Sequence, residues 1–146
     1  MSTVNVINIV CKNPIDKFTS QFKFEIVFEC LAELKEDIEW KLTYIGKADD
    51  PSLDQELDSV LIGPLQVGQM KFDFDTDAPN IKKIPKEDVL GITAIFLTCC
   101  YKNQEFFRVG YYINNQYEEE AYLQNPPEEP DQDKIIRYIL NDKPRI

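Results

Sequence analysis

Histidine is missing altogether from the 146 residues, and that single absence removes a large part of enzyme chemistry. No Ser-His or Cys-His nucleophile pair can be built, and the commonest metal-binding side chain is gone. There is no C-x-x-C, P-loop or dinucleotide fingerprint either. Asp73, Asp75 and Asp77 start like a calcium loop, but Ala78 stands at the glycine position and Ile84 at the closing glutamate, so that site is rejected. Carboxylate pairs are too numerous among 26 acidic residues to signal acid–base work. These absences predict a protein that is not an enzyme and carries neither metal nor cofactor.

Basic charge is also scarce. Lys and Arg number 16 against 26 Asp and Glu, a net charge of −10. A surface that tracks phosphates must replace counterions with Lys and Arg, so direct nucleic-acid binding is not expected. From charge alone two readings stay open: an acidic surface that keeps the chain soluble, or one that meets a basic protein. No run approaches the roughly 20 apolar residues that a membrane helix needs. No basic-then-apolar leader and no N-x-S/T acceptor is present, so an intracellular, nuclear or cytosolic home is expected. Cys11, Cys30, Cys99 and Cys100 read as buried thiols rather than a disulfide frame.

What is present is a core and a period. At 43% hydrophobic and 12% aromatic, the chain has enough apolar side chains for one compact domain over residues 1–146. Phe22, Phe24, Ile26, Phe28 and Cys30 alternate with Lys23, Glu25, Val27 and Glu29; Ile38, Trp40, Leu42 and Tyr44 alternate with Glu39, Lys41, Thr43 and Ile45. A third alternation runs through Met70, Phe72 and Phe74, and shorter strands are expected over 4–11, 57–66, 89–101 and 105–114. Turn-rich pieces separate them. About seven short antiparallel strands predict an all-β fold, an immunoglobulin-like sandwich with short helices in connecting loops and near the C-terminus. A helix is expected over 132–141, where Asp131 or Asp133 could cap KIIRYIL before Pro144. Acidic residues bunch at 49–58 and 118–133, as loops and rims.

The hairpin of 89–101 and 105–114 holds the one odd feature, Arg108 among Phe106, Phe107, Val109 and Tyr111. A three-residue loop, with Asn103 left-handed, pairs Tyr101 with Glu105, Thr98 with Arg108 and Ala94 with Tyr112. A two-residue loop would set Leu97 opposite Arg108 and turn the guanidinium into the core, at a cost of several kcal/mol if unpaired. The first register therefore predicts that Ile92, Ala94, Phe96, Arg108 and Tyr112 share the outward face, joined by Ile45 and rimmed by Asp49, Asp50, Asp54 and Asp88. Exposed apolar residues with Tyr and Arg make up an interface. The competing outcome is that the C-terminal segment folds back over this face.

FKFEIVFEC, EDIEWKLTYIG, LDSVLIGP, DAPN, QEFFRVGYYINNQY and NPPEEPD followed by RYIL occur in that order. Together they resemble the anti-silencing function family of histone chaperones across essentially the whole chain. The resemblance implies a nuclear, monomeric chaperone that holds one dimer of histones three and four, blocks its tetramerisation and passes it on for nucleosome assembly and disassembly. Matched onto this chain, the histone three contacts are Ile45, Asp54, Asp88, Ile92, Ala94, Phe96, Arg108 and Tyr112. Ala94 is smaller than the usual valine and Phe96 larger than the usual leucine, volume changes of opposite sign. The resemblance also implies that the histone four tail adds as a strand near Val109, Tyr111, Leu140 and Pro144. On the opposite side it implies a docking site for basic peptides of histone regulator A and chromatin assembly factor one, formed by Glu36, Asp37, Ile38, Glu39, Leu61, Ile62 and Pro64. Without the resemblance, the alternative is a general immunoglobulin-like adaptor for basic peptides.

Overall fold

The computed structural model describes residues 3–140. Within these residues nine strands form two sheets: β1 (Val4–Cys11), β2 (Ile15–Lys17), β3 (Phe22–Cys30), β4 (Ile38–Tyr44), β5 (Gln55–Ile62), β6 (Gly68–Thr76), β7 (Gly91–Tyr101), β8 (Gln104–Tyr117) and β9 (Ile135–Ile139). Among the described residues helix is confined to connections: α1 (Lys86–Val89), α2 (Glu120–Gln124) and three single 3-10 turns. One sheet has the order β1-β3-β6 and the other β2-β9-β8-β7-β4-β5. Every pairing between them is antiparallel, the all-β sandwich that the alternating pattern predicts.

The alternation works because a strand sends successive side chains to opposite faces. Phe22, Phe24, Ile26, Phe28 and Cys30 of β3 are all buried, and so are Ile38, Trp40, Leu42 and Tyr44 of β4. They meet Ile95, Leu97 and Cys99 of β7 and Val109, Tyr111 and Ile113 of β8 in one cluster. Trp40 lies 6.2 Å from Phe28 and 5.9 Å from both Phe72 and Phe107, between ring centroids. Each such side chain contributes on the order of 2 kcal/mol of transfer free energy. All four cysteines are free thiols, with Cys30 and Cys99 buried but Cys11 and Cys100 only half so. Burial pushes the Cys99 thiol well up.

The helix expected over 132–141 does not form. Gln132–Lys134 is a 3-10 turn capped by Asp131, and the chain then enters β9. The spacing of Ile135, Ile136, Ile139 and Leu140 suits a helical stripe, but β8 offers an unpaired edge over Ile113–Tyr117, and β9 pairs with it. The inward residues are then Ile135, Arg137 and Ile139. Arg137 is 1% exposed: its guanidinium stacks 3.8 Å from the Phe22 ring centre and donates to the Ser20 and Gln21 carbonyls at 2.8 and 3.1 Å. A periodicity argument made for a helix has no reason to bury an arginine.

Across the β2–β9 pairing Asp16 faces Arg137. Burial works against ionising Asp16, but it accepts from the Lys17 amide, Asn13 and Ser20 and feels the Arg137 charge. The balance holds its carboxyl below the ordinary carboxylate range. A depressed folded pKa stabilises above the unfolded value near 4 and loses that contribution as pH falls through the folded value. Asp16→Asn is therefore expected to unfold more easily at pH 7 and to show a flatter acid limb below about pH 4 in denaturant titrations. An unchanged acid limb would assign it to other carboxylates.

Candidate functional site

The β7–β8 hairpin turns through Lys102 and Asn103 alone, with φ of 52° and 63°, and Tyr101 pairs with Gln104 rather than Glu105. This corrects the expected three-residue loop. A bulge between Cys99 and Cys100 then restores the parity: Cys100 faces Glu105 but Cys99 faces Phe107, leaving Phe106 as the extra residue. From there Thr98 pairs with Arg108, Phe96 with Gly110 and Ala94 with Tyr112. Both a short turn and an outward arginine are obtained, because the bulge supplies the one-residue shift that the turn does not.

The Arg108 guanidinium sits over the Phe96 ring, 4.8 Å from its centre, and its Nε and Nη2 meet the two carboxylate oxygens of Glu105 at 3.2 and 3.3 Å. Phe96 can lie across its neighbour strand because the opposite residue is glycine: a Cβ at Gly110 would sit 2.9 Å from the ring. The guanidinium is thus held between a π face and a carboxylate while half its side chain stays in solvent. Around it Lys41, Thr43, Ile45, Asp54, Glu56, Thr98, Cys100 and Glu105 line a shallow groove of about 260 Å³.

Neighbouring positions extend the same face. Ile92 is 63% and Tyr112 45% exposed. Ile45 is anchored twice to β7, its amide donating to the Ala94 carbonyl at 3.0 Å and its carbonyl accepting from Thr93 Oγ1 at 2.5 Å. Asp88 sits in α1 with one carboxylate oxygen buried and without a hydrogen-bond partner. Of the expected rim, Asp54 lines the groove, whereas Asp50 caps the 3-10 turn at Pro51–Leu53. Lys41, Glu56 and Glu105 were not singled out from the sequence. Parity along β4 points Lys41 outward, but only the β4–β5 register and the bulge bring all three to Arg108.

Glu36, Asp37, Glu39 and Leu61 come together with Cys100, Lys102 and Asn103 around a second groove of about 250 Å³. Leu61 is 64% exposed. The Asp37 carboxylate lies directly over Gly63, where a Cβ would be within 2.8 Å of the Asp37 Cα, and Pro64 follows through a cis peptide bond. Ile38 is fully buried, so its side chain is not on this surface, and Ile62 pairs with it half-buried. The two grooves do not lie on opposite sides of the sandwich: both are lined by Cys100. Lys41 also bridges them, its Nζ 3.4 Å from Glu39 and 3.7 Å from Glu56.

Val109 and Tyr111 occupy the inner face of β8, 1% and 8% exposed. Tyr111 packs on Phe24 at 5.6 Å, and burial pushes its phenol up to about 12. Its buried hydroxyl has no hydrogen-bond partner. Leu140 is half-buried and its amide donates to the Tyr112 carbonyl at 3.0 Å. Pro144 lies outside the described residues. Beside this corner, the edge of β8 from Gln104 to Tyr111 that faces away from β7 has no strand partner among the described residues.

A sheet face with exposed aliphatic and aromatic residues, a poised guanidinium and carboxylates at its margin has the composition of a protein-binding surface, the kind found on a β-sandwich chaperone or adaptor. The chain belongs to the ASF1-like histone chaperone family, whose model matches residues 1–146. It is 49% identical over all of its length to the histone chaperone asf1 of Dictyostelium discoideum, covering 95% of that protein. It is 50% identical to the histone chaperone ASF1 of Chaetomium globosum, covering 53% of it, and 49% identical to the probable histone chaperone ASF1A of Arabidopsis thaliana, covering 74%. The chain spans about half the length of several of the curated relatives it matches.

Proposed function

We propose that this protein is a nuclear histone chaperone that binds one dimer of histones three and four through the face of Ile45, Asp54, Asp88, Ile92, Ala94, Phe96, Arg108 and Tyr112. In this reading it covers the surface through which two such dimers would pair, and releases the dimer for nucleosome assembly or recovers it on disassembly. The observation that carries the reading is Arg108, exposed and pre-oriented on Phe96 and Glu105, on the same sheet face as the exposed Ile92 and Tyr112. A guanidinium fixed before binding loses little side-chain entropy on forming a directed contact.

Two further contacts belong to the same proposal. The histone four tail adds as an extended strand at the corner of Val109, Tyr111, Leu140 and Pro144, a reading supported by the unpaired β8 edge and the unpartnered Tyr111 hydroxyl. The groove of Glu36, Asp37, Glu39 and Leu61, with Ile38, Ile62 and Pro64 behind it, takes basic peptides of histone regulator A and chromatin assembly factor one. Three carboxylates around an exposed leucine favour a cationic, partly apolar ligand.

Sedimentation of the chain with purified histones in moderate salt tests the central claim: one chaperone per histone heterodimer is expected. An intact histone tetramer on the chaperone would refute the blocking mechanism. A general adaptor for basic peptides predicts instead that binding vanishes near physiological salt, where exposed rim charges are largely screened.

A further inference from the structure

We propose that Asn115 is a positioning residue for the histone face, clamping from beneath the two segments that carry Ile45 and Asp88. The inference rests on the reading of that face given above. Asn115 lies on the inner side of β8 and is buried. An amide nitrogen has two hydrogens to donate, and here each goes to a different element: one to the Tyr44 hydroxyl at 2.9 Å, the other to the Val89 carbonyl at 3.2 Å. Tyr44 immediately precedes Ile45, and Val89 immediately follows Asp88. One side chain therefore ties the end of β4 to the end of α1 under the outer face.

The Asp88 side needs such a tie. Helix α1 is a single turn of four residues whose N-cap, Pro85, makes no side-chain capping bond. Asp88 keeps a carboxylate oxygen buried with no partner, a state that costs free energy and that a loose turn would relieve by rotating the carboxylate into water. Holding the Val89 carbonyl prevents that rotation and keeps Asp88 under-solvated, where a cationic donor from a partner gains most. Ile45 is already pinned to β7 from its own side, so the loss of Asn115 is expected to act chiefly through Asp88.

The experiment measures histone-dimer affinity for the full chain and for Asn115→Ala, each with and without Asp88→Ala. Binding is expected to fall about 5–20-fold in the otherwise native chain and less than about 2-fold once Asp88 is gone, as coupled neighbours do. Affinity for a basic hairpin peptide at the Leu61 groove should not change. An equal loss in both backgrounds, or no loss, overturns the inference. If Asn115→Ala does not fold, Asn115→Leu with Tyr44→Phe, which removes the amide and the hydroxyl together and leaves only the Val89 carbonyl unpaired, takes its place under the same criteria. Backbone amide shifts separate this inference from the functional reading. Asp88 and Val89 should shift in the variant while Glu36 to Glu39 stay still, and static Asp88 and Val89 resonances overturn the positioning role. A native chain that fails to bind the histone dimer would refute the functional reading and leave the shift experiment decisive.

Discussion

Arg108→Glu is expected to weaken histone-dimer binding by about 2–5 kcal/mol, roughly 30- to 4,000-fold in Kd, while leaving the fold intact. The native guanidinium is half-exposed and rests between the Phe96 ring and Glu105. A glutamate there puts like charge beside Glu105 and a carboxylate over the negative face of an aromatic ring. It also leaves whatever acceptor the histone presents without a donor, and that mismatch is the larger part of the loss. Because an exposed ion pair contributes only about 0–1 kcal/mol to folding, the melting temperature should barely move. Isothermal titration of the dimer into variant and native chain decides the matter; equal affinities would remove the β7–β8 face from consideration.

Arg137→Ala is expected to cost about 3–5 kcal/mol of folding stability, against a usual total on the order of 5–15 kcal/mol. Three losses combine. The Ser20 and Gln21 carbonyls lose their donors, the Phe22 ring loses its stacked partner, and Asp16 loses its facing cation. For a chain of this size the melting temperature should fall by about 10–15 °C. Arg137→Lys should recover only part of this, since a single ammonium cannot span both carbonyls and lie flat on Phe22 at once. A drop below about 1 kcal/mol in denaturant unfolding would show that β9 is held by backbone pairing alone.

The outward direction of Arg108 was legible because the wrong parity carries a heavy penalty. Few ways of closing the hairpin keep a guanidinium out of the core, and they all turn Ile92, Ala94, Phe96 and Tyr112 out with it. How the hairpin achieves this was not legible. A two-residue turn with a bulge and a three-residue loop without one give the same pairing from Cys99 onward, and they differ only in the partners of Tyr101 and Cys100 and in leaving Phe106 unpaired. The C-terminal segment was misread for a related reason. KIIRYIL satisfies a helical stripe and a strand alternation alike, and the choice was made by the free edge of β8 and the space over Phe22. The three-residue strand β2 is too short for any period to announce it.

Alternation along β3, β4 and β6 pointed to a stacked β-sandwich, because a period of two leaves one face apolar and one face wet, and only stacking buries the first. The absence of histidine from the 146 residues rules out a Ser-His or Cys-His pair within them. Tertiary structure decided which residues become neighbours: Lys41 with Glu39 and Glu56, Phe96 over Gly110, Asn115 on the Val89 carbonyl, and the two grooves meeting at Cys100. The physical reason is that side-chain direction follows from local backbone geometry, whereas adjacency across strands depends on register. Register is set by turns, bulges and edges whose energies differ by amounts that no single segment of sequence contains.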